Sequence, residues 1–297
     1  MRIANLNGRA VLTDADTRLA LDIERASDGR FGADPGAVYE RWSEFAQWAR
    51  QQDAASHRDA VPVVPADLGP VVPRPPQILA VGLNYADHAE ESNMTLPEHP
   101  MVFTKFASSL AGPDVDVELS GDTVDWEIEL VAVVGVGGRD IPAERAWDHV
   151  AGLTVGQDLS DRTVQFQSTP PQFNLGKSLR RFAPVGPAVV TVDELRAGGL
   201  DPDDLALRCT LIEVDGTERV LQQSRTAQLI FSIPDLVARL SASVELLPGD
   251  LIFTGTPSGV GFGRTPREYL VAGQTVVSEI DGLGSIRQRF VVKEATA

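Results

Sequence analysis

Cysteine is almost missing from this chain of 297 residues. The single thiol, Cys209, can form neither an intrachain disulfide nor a multi-thiolate metal site, which favours a reducing compartment. Positive charge is also scarce: 26 Lys and Arg face 42 Asp and Glu, for a net charge of −16. Phosphate backbones and anionic lipid surfaces require clustered cations, so nucleic acid and membrane partners are disfavoured. No run of about 18 apolar residues is present to span a bilayer. The first residues carry no basic stretch followed by an apolar core, so no secretory signal is readable and a cytoplasmic location is expected. There is no internal repeat of fixed period, and the glycine-rich GTPSGVGFG lacks both the Lys-Ser/Thr ending of a phosphate loop and the context of a dinucleotide fingerprint. What is present, 43% hydrophobic and 23% charged residues, is the mixture of an ordinary globular protein.

The length suggests two domains at about 150 residues each. Residues 35–52 place Val38, Trp42, Phe45, Ala46 and Ala49 at helical spacing, which predicts one amphipathic helix. Residues 61–76 hold six prolines and read as an extended connector, with a small N-terminal α/β domain and its linker over 1–72 and a second domain over 73–297. The second domain carries short Val-, Ile- and Leu-rich segments at 78–81, 130–136, 187–192, 205–214 and 250–253, with helices expected at 143–149 and 233–242. The fold class is therefore α+β, predominantly β.

The segment DTVDWEIELVAVVG, residues 122–135, is the most informative. Acidic and apolar residues alternate, as on a strand, so Glu127 and Glu129 face one side with roughly 7 Å between their Cβ atoms. Convergent carboxylates repel unless protons or a cation intervene. A solvated face is the ordinary reading of Glu-x-Glu, but this one runs straight into an apolar stretch that reads as buried. Asp158 follows another apolar run, at a turn where a carboxylate can enter a cleft; local capping would equally explain an isolated aspartate there. Together Glu127, Glu129 and Asp158 could make an all-oxygen site suited to Mg²⁺ or Mn²⁺, and the lack of histidine or cysteine in the set disfavours zinc.

In AVGLNYADHAEESN, His88 and Glu91 lie three residues apart, so on a short helix the carboxylate can orient the imidazole as a proton shuttle. Residues 86–97 are expected to act as a lid ordered by ligand. Lys177, following a glycine, can stabilise developing negative charge, and Thr256, on a turn after a strand, can grip a substrate carboxylate.

These segments, in this order, resemble the fumarylacetoacetate hydrolase family. The resemblance spans about residues 76–290 and rests on GLNYADHAEE, FTKFASSLAGP, DWEIELVAVVG, GQDLSDRT, LGKS, FAPVGP, LPGD and TGTPSGVG. It implies a mixed β-roll catalytic domain with a smaller N-terminal domain, usually a homodimer, and a metal held by Glu127, Glu129 and Asp158. It also implies the His88–Glu91 pair, the active-site Lys177 and the threonine turn at Thr256. The chain departs from the family at Leu179, Arg180 and Arg181, where Phe-Asp-Thr is common, and at Phe173, where Trp is common. Asn84 and Gln165 are expected to touch substrate, and Arg180, Arg181 and Phe173 to shape the distal part of the site.

The expected activity is hydrolysis of a C–C bond in an acylpyruvate-like 2-oxo acid. Mg²⁺ or Mn²⁺ polarises the 2-oxo group, His88 activates water, and Lys177 holds the enolate charge. Oxaloacetate decarboxylation and 2-oxo acid isomerisation or tautomerisation use the same site without attacking water and stay open as alternatives. A non-catalytic metal-dependent 2-oxo acid binding protein is a more distant one.

Overall fold

The computed structural model describes residues 1–91 and 95–293. The expected lid includes residues 92–94, which lie outside the described residues; Ala86–Glu91 of it is helical.

Two large β-sheets, with a 2-stranded one formed by Val124–Asp125 and Ser160–Asp161, account for the architecture. Strand Ile128–Val134 is buried along its whole length in an 11-stranded sheet. Its even residues Leu130, Ala132 and Val134 enter the core facing the second sheet, while Val131 and Val133 enter the core beneath the N-terminal helices. Burial on both faces explains why residues 130–134 read as an unbroken apolar run. Its neighbours are Val150–Gln157 on one side and Leu251–Phe253 on the other, followed by Ile78–Gly82 and Met101–Thr104. Beyond Val150–Gln157 come Ala183–Val190 and then Arg2–Leu6, so the N-terminal strands pair into the same sheet as the residues after the proline-rich segment.

The second, 5-stranded sheet is ordered Glu218–Arg225, Ala206–Ile212, Thr275–Ile280, Gly284–Val291 and Asp114–Glu118. Its inward residues, including Leu207, Val276, Ile286 and Phe290, pack with Leu130 and Leu153 of the large sheet. The fold is mixed α+β and mostly strand, as the sequence predicts. Helix Ile233–Ser241 begins where Ser232 accepts the Asp235 amide and buries Leu236, Val237 and Leu240, close to its expected limits.

The helix expected over residues 35–52 is instead two, Ala37–Glu40 and Trp42–Ala49. Arg41 leaves the helical region at φ −125°, ψ 40°, and Tyr39 stacks on Trp42 at 5.8 Å. Val38 and Tyr39 of the first piece and Phe45, Ala46 and Ala49 of the second are all buried.

Topology alone decides where a site can form. The start of Ile128–Val134 lies beside the ends of its antiparallel neighbours Val150–Gln157 and Leu251–Phe253, and the parallel strand Ile78–Gly82 ends at the same edge. The segments carrying Glu127, Asp158, Thr256 and His88 therefore meet there although they are far apart in the chain.

Candidate active site

A cavity of about 230 Å³ opens at this edge, lined by His88, Glu127, Glu129, Asp158, Gln165, Lys177 and Thr256 among others. Seven of the nine residues expected to bind metal, act in catalysis or touch substrate thus face one space. Glu127, Glu129 and Asp158 are buried, and one carboxylate oxygen from each lies within 4.8 Å of the others.

Three cations accompany these carboxylates. Lys177 Nζ donates to Glu127 Oε2 at 2.7 Å and to Asp158 Oδ2 at 2.6 Å. Lys105 Nζ donates to Asp158 Oδ1 and to the Lys177 carbonyl. Arg162 Nη2 lies 2.7 Å from both Asp125 Oδ2 and Glu127 Oε1. Burial raises the Glu127 carboxyl, but the Lys177 and Arg162 charges outweigh it and bring it down to about 2. Burial opposes the Lys177 ammonium, yet Asp158 and Glu127 raise its pKa overall, so it stays protonated and serves as a donor, not a base. The Lys105 ammonium is lowered by burial despite its Asp158 partner.

Glu129 is different. Its Oε2 accepts the Gly255 amide at 2.8 Å, and among the described residues Oε1 has no hydrogen-bond donor. Burial, then the Asp158 and Glu127 charges, push its carboxyl well above the usual range. One more positive charge is what this corner lacks. A carboxylate has about four acceptor sites, so oxygens already paired with ammonium or guanidinium groups can still bind an ion. The donor set, three carboxylates and no nitrogen or sulfur, therefore fits a hard divalent cation.

The loop after Leu251–Phe253 turns its amides toward acidic side chains. Besides Gly255 on Glu129, Gly259 N–H donates to Glu91 at 3.0 and 3.1 Å, and the Gly261 and Phe262 amides donate to Asp125 at 2.7 and 2.9 Å. Glu91 does not line the cavity; it sits behind His88, with Oε2 3.4 Å from Nδ1. A Cβ at Gly263 would fall 2.3 Å from Glu91 Cγ. We expect Gly263→Ala to displace Glu91 and to lower kcat by about 10²-fold through misplacement of the imidazole, with metal affinity unchanged; steady-state kinetics and calorimetry check both. Gly176 has a similar function. A Cβ there would approach the Gln165 backbone at 2.6 Å, so glycine lets the turn carrying Lys177 close onto the helix Arg162–Gln165.

Some expectations need correction. Asn84 does not touch the cavity: its Nδ2 donates to the Phe231 and Thr254 carbonyls at 3.0 and 2.8 Å, and its Oδ1 accepts the Phe231 amide at 2.7 Å. Every end of the amide group is spent on tying loops together, leaving none for substrate. Arg180 and Arg181 are turned to the surface, where they meet Glu118 and the Asp116 carbonyl. Phe173 does line the cavity, with Phe103, Phe166 and Phe262 forming its apolar wall. Two participants were not singled out from the sequence, Lys105 and Arg162. Both lie inside quoted motifs, FTKFASSLAGP and GQDLSDRT, but nothing local marks a cation as buried; that signal exists only after Asp125, Glu127 and Asp158 are brought together.

Among the described residues only carboxylate oxygens face the gap, a single imidazole stands beside it and fixed cations surround the rest, which defines a metal-dependent enzyme acting on a small molecule. Residues 77–291 match the family model described as fumarylacetoacetate (FAA) hydrolase C-terminal, and the chain belongs to that family. It is 42% identical over 237 residues to the mitochondrial oxaloacetate tautomerase FAHD2A of Homo sapiens, covering 78% of this chain and 72% of that protein. A Mycobacterium smegmatis protein solved under the name HpcE superposes with a TM-score of 0.87 at 48% identity, covering 99% of this chain and all (100%) of that one. Maleylpyruvate hydrolase from Sphingobium sp. SYK-6, solved with manganese(II) and pyruvate, superposes with a TM-score of 0.77 at 26% identity, covering 99% and 100% of the two chains.

Proposed function

We propose that this protein is a divalent-metal-dependent tautomerase of oxaloacetate or a closely similar 2-oxo acid, moving a proton between C3 and the 2-oxygen. The observation that carries this reading is the placement of His88. Its imidazole lines the cavity beside the three carboxylates, and Glu91, itself held by the Gly259 amide, orients it from behind. Proton transfer at carbon needs one oriented base and stabilisation of the enolate, and no attacking water. The sequence similarity to an oxaloacetate tautomerase supports the same choice over hydrolysis.

Glu127, Glu129 and Asp158 would hold Mg²⁺ or Mn²⁺, which supplies Lewis-acid polarisation of the 2-oxo group. His88 would carry the proton between the two positions, taking it from C3 and giving it to the 2-oxygen in one direction and the reverse in the other. Lys177, fixed between Glu127 and Asp158, places a permanent ammonium beside the charge that develops. Gln165 reaches the cavity with its carboxamide while its Oε1 accepts from Arg162 at 2.8 Å, so its Nε2 is the group that can meet substrate. Thr256 lines the cavity, but its hydroxyl donates to the Ile128 carbonyl at 2.8 Å and accepts from Gln222 Nε2 at 2.8 Å, so, against the expectation from sequence, it has no hydroxyl proton left for a substrate carboxylate.

The test follows the ultraviolet absorbance of enol-oxaloacetate. With Mn²⁺ the protein is expected to speed its decay to keto equilibrium, and chelation is expected to return the rate to that of buffer. No acceleration with metal present would overturn the proposal.

A second reading, hydrolysis of an acylpyruvate to pyruvate and a carboxylic acid, is favoured by the aromatic wall of Phe103, Phe166, Phe173 and Phe262, which suits an acyl chain better than a second carboxylate. Pyruvate release from acylpyruvates, measured beside the enol assay, separates the two.

A further inference from the structure

Directly beneath the acidic cluster lie two fully buried glutamines, Gln157 and Gln222. A glutamine carboxamide copies the peptide group, with one carbonyl acceptor and an amide donor. The copy is needed here because strand pairing runs out. Leu251–Phe253 pairs with Val131–Val133 only, so the earlier backbone of the strand that leads to the carboxylates has no neighbouring strand on that side. Ile128 turns both its N–H and its carbonyl toward this gap. Gln222 Oε1 accepts the Ile128 N–H at 3.1 Å, and the Thr256 hydroxyl donates to the Ile128 carbonyl at 2.8 Å. Gln222 Nε2 then donates to Thr256 Oγ1 and to the Pro257 carbonyl, both at 2.8 Å. On the other edge Gln157 Oε1 accepts the Glu127 N–H at 2.9 Å, and its Nε2 donates to Ser278 Oγ at 2.8 Å.

We propose that Gln222, reaching from the second sheet, is a positioning residue that locks the carboxylate-bearing strand to the threonine turn and sets Glu127 and Glu129 in register with Thr256. Burying a carboxamide is favourable only when every donor and acceptor is met, and here all are. An aliphatic side chain would fill the space without that demand, so the amide is explained by geometry it imposes and not by burial. Because the Thr256 hydroxyl proton is given to Ile128, the hydroxyl oxygen presents only an acceptor elsewhere, and its direction depends on Gln222. The inference rests on the proposed function only where substrate is measured.

The test compares wild type with Gln222→Met, which conserves volume, and with Val276→Ala, a plain core truncation in the same sheet. Amide exchange is read in the metal-free protein, Mn²⁺ affinity by calorimetry, and KM and kcat with oxaloacetate. In Gln222→Met the Ile128 amide is expected to exchange about tenfold faster or more, with Ala132 and Val133 unchanged. Mn²⁺ affinity is expected to fall by about 10–100-fold, and KM to rise by more than kcat falls. Unchanged Ile128 exchange and Mn²⁺ affinity, or the same changes in Val276→Ala, would overturn the inference. Should Gln222→Met not fold, Gln222→Glu decides: it keeps an acceptor for Ile128 and loses both donated bonds. Ile128 is then expected to stay protected while KM rises, and loss of that protection would overturn the inference. A wild-type protein that binds Mn²⁺ but does not act on oxaloacetate would reject the functional reading and leave the exchange and binding results to judge Gln222.

Discussion

Asp158→Ala is expected to lower metal-dependent turnover by at least about 10³-fold and to reduce stability by about 3–5 kcal/mol. Two buried ammonium groups depend on this one carboxylate: Lys177, 2.6 Å from Oδ2, and Lys105 on Oδ1. Removing it leaves the Lys105 charge, already disfavoured by burial, without a carboxylate partner. The cation site loses one of its three ligands at the same time. Asp158→Asn keeps the shape and removes only the charge, so it should be the more stable of the two and still fail to bind Mn²⁺ tightly. Thermal unfolding, calorimetry and the enol assay together check this; an Asp158→Ala protein that binds Mn²⁺ like wild type would reject the ligand assignment.

Replacing His88 tests the chemistry itself. His88→Asn should cost about 10²–10⁴-fold in kcat while Mn²⁺ affinity stays within a few-fold of wild type, because the imidazole meets Glu91 and is not a member of the carboxylate cluster. Glu91→Gln should lie between, at about 10–100-fold, since the Gly259 amide can still be accepted by the carboxamide oxygen. A kcat for His88→Asn close to that of wild type would leave the proposed base without a function. The contrast between the two positions is diagnostic: one variant loses the ion, the other keeps it and loses the proton transfer.

The acidic strand was legible because its information is local. Alternation of Asp125, Glu127 and Glu129 with Trp126, Ile128 and Leu130 follows from strand geometry, and the apolar run after it follows from burial on both faces. His88 and Glu91 were legible for the same reason, a three-residue spacing on the helix Ala86–Glu91. The second anchor of Glu91 was not, because the amide that holds it belongs to Gly259 and no local rule joins positions so far apart. Asn84 shows the opposite error. A polar residue after a strand near functional groups reads as a substrate contact, but an asparagine has few donors and acceptors, and the backbone of two distant loops consumes them all.

By itself the amino-acid sequence determined the fold class and the residue types able to hold a hard cation and move a proton, since these depend on periodicity, composition and short spacings, and its ordered motifs carried the resemblance to the family. Tertiary structure alone decided that Lys105 and Arg162 share the carboxylates with Lys177, that Asn84 serves the loops, and that the Gln222 carboxamide meets the Ile128 N–H where strand pairing ends. The reason is electrostatic and steric at once: what a buried charge or amide does is set by the groups packed against it, and those come from strands whose ends meet only when the sheets have formed.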